Sequence, residues 1–119
     1  MKKTVVIGAS PNESRYSFLA TARLLENNHK VVPLGIRNGK IAELDIITER
    51  PELKDIHTVT MYIGVKLQPD WYDYILSLNP KRVIFNPGTE NSEFANILTE
   101  KNIEVVETCT LVMLATNQF

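Results

Sequence analysis

The chain has 119 residues and a formal net charge of −1 at pH 7. That length suits one hydrophobic core, and that charge gives no global field to draw nucleic acid or an anionic membrane. With 44% hydrophobic and 23% charged residues, the composition is that of an ordinary globular protein. No apolar run approaches the roughly 20 residues needed to span a bilayer. The start, "MKKTVVIGASPNE", imitates a signal peptide only faintly, because its apolar stretch is too short and Pro11, Asn12 and Glu13 follow at once. Cys109 is the lone cysteine, so no intrachain disulfide can form and the cytoplasm is the expected compartment.

"TVVI", Thr4 to Ile7, is a β-branched run ending at a turn and reads as a buried strand. Ser14 to Asn28 reads as a helix, with Phe18, Ala22 and Leu25 at helical spacing, Leu19 alongside, and Asn27 and Asn28 as its stop. "KVVPL", Lys30 to Leu34, is a second strand, with Pro33 expected where ladder pairing ends. Asn38-Gly39 is a turn signal flanked by Ile36 and Ile41, which indicates a small hairpin or excursion. Asp45 to Ile56 carries no readable period. Thr58 to Gly64 is a third strand. Gln68 to Pro80 reads as a helix with Pro69 in its first turn, Trp71, Ile75 and Leu78 on one face, and Asn79-Pro80 as its end. "KRVIFNPG" is a fourth strand running into a turn. "NSEFANILTEKN" is a helix capped by Asn91 or Ser92. "IEVVET" is a fifth strand, and "CTLVMLATNQF" closes the chain as a short helix.

Strands alternating with helices imply βαβ units with right-handed crossovers. The expected fold is α/β: one Rossmann-like doubly wound domain over residues 1–119, with a five-stranded, mainly parallel sheet and helices on both faces. In such sheets ligands sit beyond the carboxyl ends of the strands, at the switch point. The loops after the first and fourth strands are expected to flank it. They read "GASPNESRYS" (Gly8, Ala9, Ser10, Pro11, Asn12, Arg15, Tyr16 and Ser17 among them) and "NPGTEN" (Asn86, Pro87, Gly88). Each leads into a helix, whose N-terminus offers free N–H groups to an anion. A dinucleotide fingerprint G-x-G-x-x-G would need glycines where Ser10 and Glu13 stand. The second strand ends without the acid that holds an NAD ribose. It offers Arg37, suited to a phosphate on a ribose, as in NADP or coenzyme A.

In this order of motifs the sequence resembles the small CoA-binding domain family. These are single Rossmann domains similar to the N-terminal CoA-binding domain of the succinyl-CoA synthetase alpha subunit. "VIGASPNESRYS", "LLENNHKVVPL", "VIFNPGTENSEF" and "IEVVETCTLVML" carry the resemblance. It implies that Gly8, Ala9, Ser10, Pro11 and Asn12 approach the CoA pyrophosphate, with Arg15, Tyr16 and Ser17 adding donors. It places Leu34 and Gly35 near adenine and ribose, Arg37 at the 3′-phosphate, and Tyr62 and Ile63 beside the nucleotide or pantetheine arm. Asn86, Pro87 and Gly88 complete the implied set. "LGIRN" and "FNPG" depart from the family's V-N-P and W-x-Q-x-G. The synthetase carries a phosphorylated histidine in a second domain, so acyl-CoA synthesis by these residues alone is not expected.

No other constellation carries chemistry. Cys109 after the fifth strand is either a reactive thiol or a small core residue. His29 and His57 lack partners at a catalytic spacing and read as structural. Glu90 and Glu93 complement a helix start. No H-E-x-x-H or Cys/His cluster marks a metal. No catalytic residue is assigned. The expectation is a CoA or acyl-CoA binding module, acting as a non-catalytic sensor or accessory protein. Its expected partners are a small nucleotide ligand and a second copy of itself, with no nucleic acid and no membrane. The alternatives are an NADP-dependent oxidoreductase, with Arg37 on the 2′-phosphate, and a Rossmann-type interaction domain with a decayed ligand site.

Overall fold

A computed structural model describes residues 1–119. In chain order it has β1 (Thr4–Ile7), α1 (Tyr16–Glu26), β2 (Val31–Leu34), β3 (Lys40–Ile41), β4 (Leu44–Asp45) and β5 (Thr58–Met61). A 3₁₀ stretch (Val65–Trp71) leads into α2 (Tyr72–Leu78), followed by β6 (Arg82–Phe85), α3 (Ser92–Glu100), β7 (Glu104–Glu107) and α4 (Thr110–Ala115). Five strands form one parallel sheet in the order β2-β1-β5-β6-β7. Their registers are flush. Thr4, Val31, Thr58, Arg82 and Glu104 start the strands side by side, and Ile7, Leu34, Met61, Phe85 and Glu107 end them. All strand-to-helix loops therefore leave from one edge. No helix is long and apolar enough to cross a membrane.

Side chains alternate along each strand. Val5, Ile7, Val59, Met61, Val83 and Phe85 face α2 and α3, where they join Ile75, Leu78, Phe94 and Leu98 in an apolar core. Phe94 anchors this layer: Tyr72 stacks on it at 4.2 Å and Phe85 meets it edge-on at 6.1 Å. The other face is mixed. Val6 and Val31 pack with Leu24, Ile41 and Ile46, while the buried Thr4, Thr58, Thr60 and Arg82 belong to the same face by alternation.

The buried stripe of α1 is Ser17, Ala20, Thr21 and Leu24. The sequence period placed Phe18, Ala22 and Leu25 inward; Phe18 and Leu25 flank the seam half-buried. Small residues win the contact because they let the helix lie close to the sheet. The hairpin forms, but its turn is Ala42-Glu43 between β3 and β4, with Ala42 at φ 54°. Asn38-Gly39 lies upstream of it, and Ile36 is exposed while Ile41 is buried. Pro33 does not end the ladder. It pairs with Val6 inside β2, an edge strand where a missing N–H costs nothing. The Pro33 carbonyl accepts from Ile47 N at 2.9 Å. The expected helix at Gln68 starts as 3₁₀ turns, and the α-helix begins at Tyr72.

Asparagines end the helices. Asn28, Asn79, Asn102 and Asn117 all have positive φ, the left-handed conformation that asparagine tolerates better than most residues. Just past Asn28, His29 Nδ1 accepts from the Lys2 N–H at 2.9 Å, and its ring lies 4.9 Å from that of Phe119. Burial first, then the positive charges of the N-terminal amine, Lys2 and Arg82, hold its pKa below the ordinary imidazole value. His57 is lowered by burial, then by Arg82, Lys2 and Lys81, with Glu104 opposing.

A histidine whose folded pKa is depressed is protonated first in the unfolded chain, so its contribution is complete above the ordinary value of 6.5 and declines as pH falls below it. Thermal midpoints should therefore be level above about pH 7 and fall between roughly pH 6.5 and 5.5. A His29→Gln variant keeps an acceptor for Lys2 but cannot titrate, and its midpoint should fall less steeply. Equal slopes in both proteins would remove His29 from this role.

Candidate functional site

The chain leaves β1 toward β2 and then crosses back to β5 on the other side of β1. The switch point thus lies between β1 and β5, and the loops after those two strands flank it. The sequence reading put the fourth strand there; β6 stands one place further out, because the third strand, not the fourth, is the neighbour of β1.

Three backbones meet at this edge. Gly8 has φ +96°, and a Cβ on it would lie 2.9 Å from Ile63 Cγ2 and 3.0 Å from the Tyr62 carbonyl. A Cβ on Gly35 would stand 2.3 Å from the Ala9 carbonyl oxygen. Leu34 O accepts from both Gly8 N (3.0 Å) and Ala9 N (2.8 Å). Asn12 N donates to Ser10 Oγ at 3.1 Å, and Ser14 N donates to Asn12 Oδ1 at 3.0 Å. The N–H groups of Ser10, Glu13, Tyr16 and Ser17 find no acceptor. Arg15, the residue before α1, gives no side-chain cap, and no acid occupies the first turn. Helix α3 differs: Asn91 Oδ1 accepts from Phe94 N at 3.1 Å, and Glu93 stands in its first turn.

Around this uncapped helix start the surface is basic and apolar. Arg15 and Arg37 are exposed and take part in no ion pair. Ile36 is 90% exposed beside Gly35, and Leu67 is 63% exposed beyond Gly64. Pro11 packs toward Gly39, where a Cβ would meet its ring carbon at 2.6 Å.

The remaining residues divide by burial. Leu34 and Ser17 are buried, so Leu34 presents only its backbone at the edge. Tyr62 is half-buried with its Oη unpartnered. Burial drives its phenol well above the ordinary tyrosine value; the nearby Thr110 and Thr60 hydroxyls oppose the shift and Cys109 adds to it. Asn86 is a buried strut. Its Nδ2 donates to Thr60 Oγ1 (2.7 Å) and Met61 O (2.8 Å), and its Oδ1 accepts from Thr110 N (2.8 Å). Pro87 and Gly88 are exposed beyond it. Gln68, which no sequence pattern marked, is fully buried. It donates to Ile63 O and Thr89 O and accepts from Asn91 Nδ2. Glu90 accepts from Gly88 N. Cys109 precedes α4 half-buried, without a capping bond.

Residues 2–115 match the family described as CoA binding domain. The chain belongs to the CoA-binding domain family. No match is found among curated proteins. An uncharacterized protein of known crystal structure is similar at 50% identity, with a TM-score of 0.98 over 100% of this chain and 98% of that one. The Thermus thermophilus protein cell-free ID.343 shares the fold at 22% identity and TM-score 0.86, covering 99% and 90% of the two chains. A conserved hypothetical protein from Pyrococcus furiosus does so at 23% and 0.81, covering 94% and 98%. In this CoA-binding domain the switch-point edge is therefore the candidate site.

A Gly35→Ala variant should lose about 1–3 kcal/mol of stability, the range for overpacking a tight contact, read as a lower urea midpoint. Gly64→Ala is the control. Its φ is −66° and a Cβ there meets nothing within 4 Å. Equal midpoints for the two variants would show that the loops part freely.

Proposed function

We propose that the chain binds CoA or an acyl-CoA at the switch-point edge, in the cytoplasm, as a non-catalytic sensor or accessory protein. One observation carries the reading: α1 begins without a cap beside a loop that leaves four backbone N–H groups free. An unsatisfied helix start with a positive dipole end fits a phosphate group. Gly8 and Gly35 let the loops beyond β1, β2 and β5 close on one another, which brings the first loop and the start of α1 to the switch point, where these donors fit a phosphate.

Ser10, Glu13, Tyr16 and Ser17 would supply N–H donors to the pyrophosphate, with Arg15 adding charge. Arg37, unpaired at the end of β2, would hold the 3′-phosphate. Ile36, Tyr62, Ile63 and Leu67 offer apolar surface to adenine or the pantetheine arm. Asn86 would set the floor from beneath, since its side chain is committed to Thr60, Met61 and Thr110. When bound, CoA supplies a thiol or thioester; the protein's part is to bind and orient it. NADP binding through Arg37 is the second reading, and the same exposed guanidinium favours it.

Thermal shift with CoA, acetyl-CoA, NADP, NAD and AMP separates the two. A ligand at 100 times its dissociation constant adds about 2.7 kcal/mol, which moves the midpoint of a domain this size by several degrees. CoA and acetyl-CoA should shift it; a shift with NADP alone would sink the proposal. Arg37→Ala should weaken CoA by about tenfold, for roughly 1.4 kcal/mol lost, and leave dephospho-CoA nearly unchanged. Equal losses would take Arg37 off the 3′-phosphate.

A further inference from the structure

The opposite edge of the sheet has a chemistry of its own. Lys2, Lys3, Lys30, Lys54, Lys81 and Lys101 each lie just upstream of a strand. Because the strands are parallel and flush, these lysines converge on the amino edge. The ion pairs of the structure, Arg23–Glu26, Lys40–Asp45 and Arg50–Asp70, use none of them. Lys101 is the C-cap of α3, at the negative end of that helix, while the last turns of α2 and α3 hold no basic residue and that of α1 holds only Arg23.

At this edge a hollow of about 770 Å³ is lined by Lys3, Lys30, Lys81, His57, Asn79 and Asn102. Asp55 is the one carboxylate on its wall. Lys3 Nζ donates to Lys54 O, while the Lys30 and Lys81 ammonium groups take part in no hydrogen bond or ion pair. Asn79 and Asn102 hold positive φ here and add amide donors. Burial first, then the cations Arg82, Lys2 and Lys81, hold the His57 pKa below the ordinary imidazole value, with Glu104 opposing. Lys2 Nζ is taken up by Phe119 O, but the like charges left around the hollow oppose folding, and a multiply charged anion would relieve them.

We infer that this hollow is a second ligand site, taking a small polyanion that carries two or more phosphate groups. Its size suits a small molecule, and its lining has no Phe, Tyr or Trp ring on which nucleic-acid bases could stack. Lysines fit as point charges for phosphate. The site is separate from the carboxyl edge, so it stands or falls independently of CoA binding.

The test is calorimetric titration of the intact chain with inorganic tripolyphosphate and, separately, fructose 1,6-bisphosphate. Three proteins are compared: wild type, Lys30→Glu/Lys81→Glu, and Arg15→Glu/Arg37→Glu, with folding checked by circular dichroism. Saturable binding should drop at least about tenfold in the lysine pair and stay within about twofold in the arginine pair. The His57 ring pKa, followed by NMR, should rise on binding in wild type. Stronger binding of the sugar bisphosphate marks a phosphate ester as the source, and stronger binding of tripolyphosphate an inorganic chain. No saturable binding of either, or a loss that follows the arginine pair or is equal in both, overturns the inference.

Discussion

The carboxyl edge depends on how closely three backbones approach one another beyond β1. Gly8 turns with a positive φ against Tyr62 and Ile63, and Gly35 lies against the Ala9 carbonyl. Any side chain at those positions would push the loops apart. With none there, the first loop is drawn across the end of the sheet and delivers the start of α1 to the switch point. The helix arrives uncapped. A missing cap costs about 1 kcal/mol relative to Ser, Thr, Asp or Asn, and Asn91 shows that this chain caps a helix elsewhere. Such a local violation of good helix chemistry is characteristic of functional positions.

The two halves of that edge are built in contrast. Beyond β6 and β7 the polar groups are turned inward and satisfied. Asn86 ties Thr60, Met61 and Thr110 together, and Gln68 joins Ile63, Thr89 and Asn91. Buried amides that make their full set of bonds rigidify what they join. Beyond β1 and β2 the donors point outward without partners. A fixed half thus supports an open half, and the departure "FNPG" belongs to the support.

Much of this was legible. The β-branched runs at Val5, Val32, Val59, Val83 and Val105 gave all five strands, since a strand buried on both faces needs unbroken apolar residues. Asn28 and Asn79 marked helix ends through their tolerance of positive φ, and Asn91 through its capping side chain. What stayed hidden depends on distance in space. The inward stripe of α1 follows from closeness to the sheet, which favours Ala20 over Phe18. The neighbour of β1 is set by crossover order, and no local pattern distinguishes the third strand from the fourth. A fully buried glutamine such as Gln68 looks in sequence like any solvated one. The glycines at 8 and 35 were visible as residues, but the contact that demands them was not.

The position of β1 inside the sheet also has a consequence in time. Its partners are β2 and β5, so the apolar run through Ile7 cannot be covered on both sides until Met61 has been made. At roughly 5–20 residues per second, that interval is about 3 to 10 s of synthesis. Over that period β1 can pair with β2 once Leu34 is made, but its other edge stays open, the kind of edge that chaperones bind and that neighbouring chains can capture. Docking of β5 closes that second edge, so the order of the first sixty or so residues is complete only once Met61 has joined the sheet.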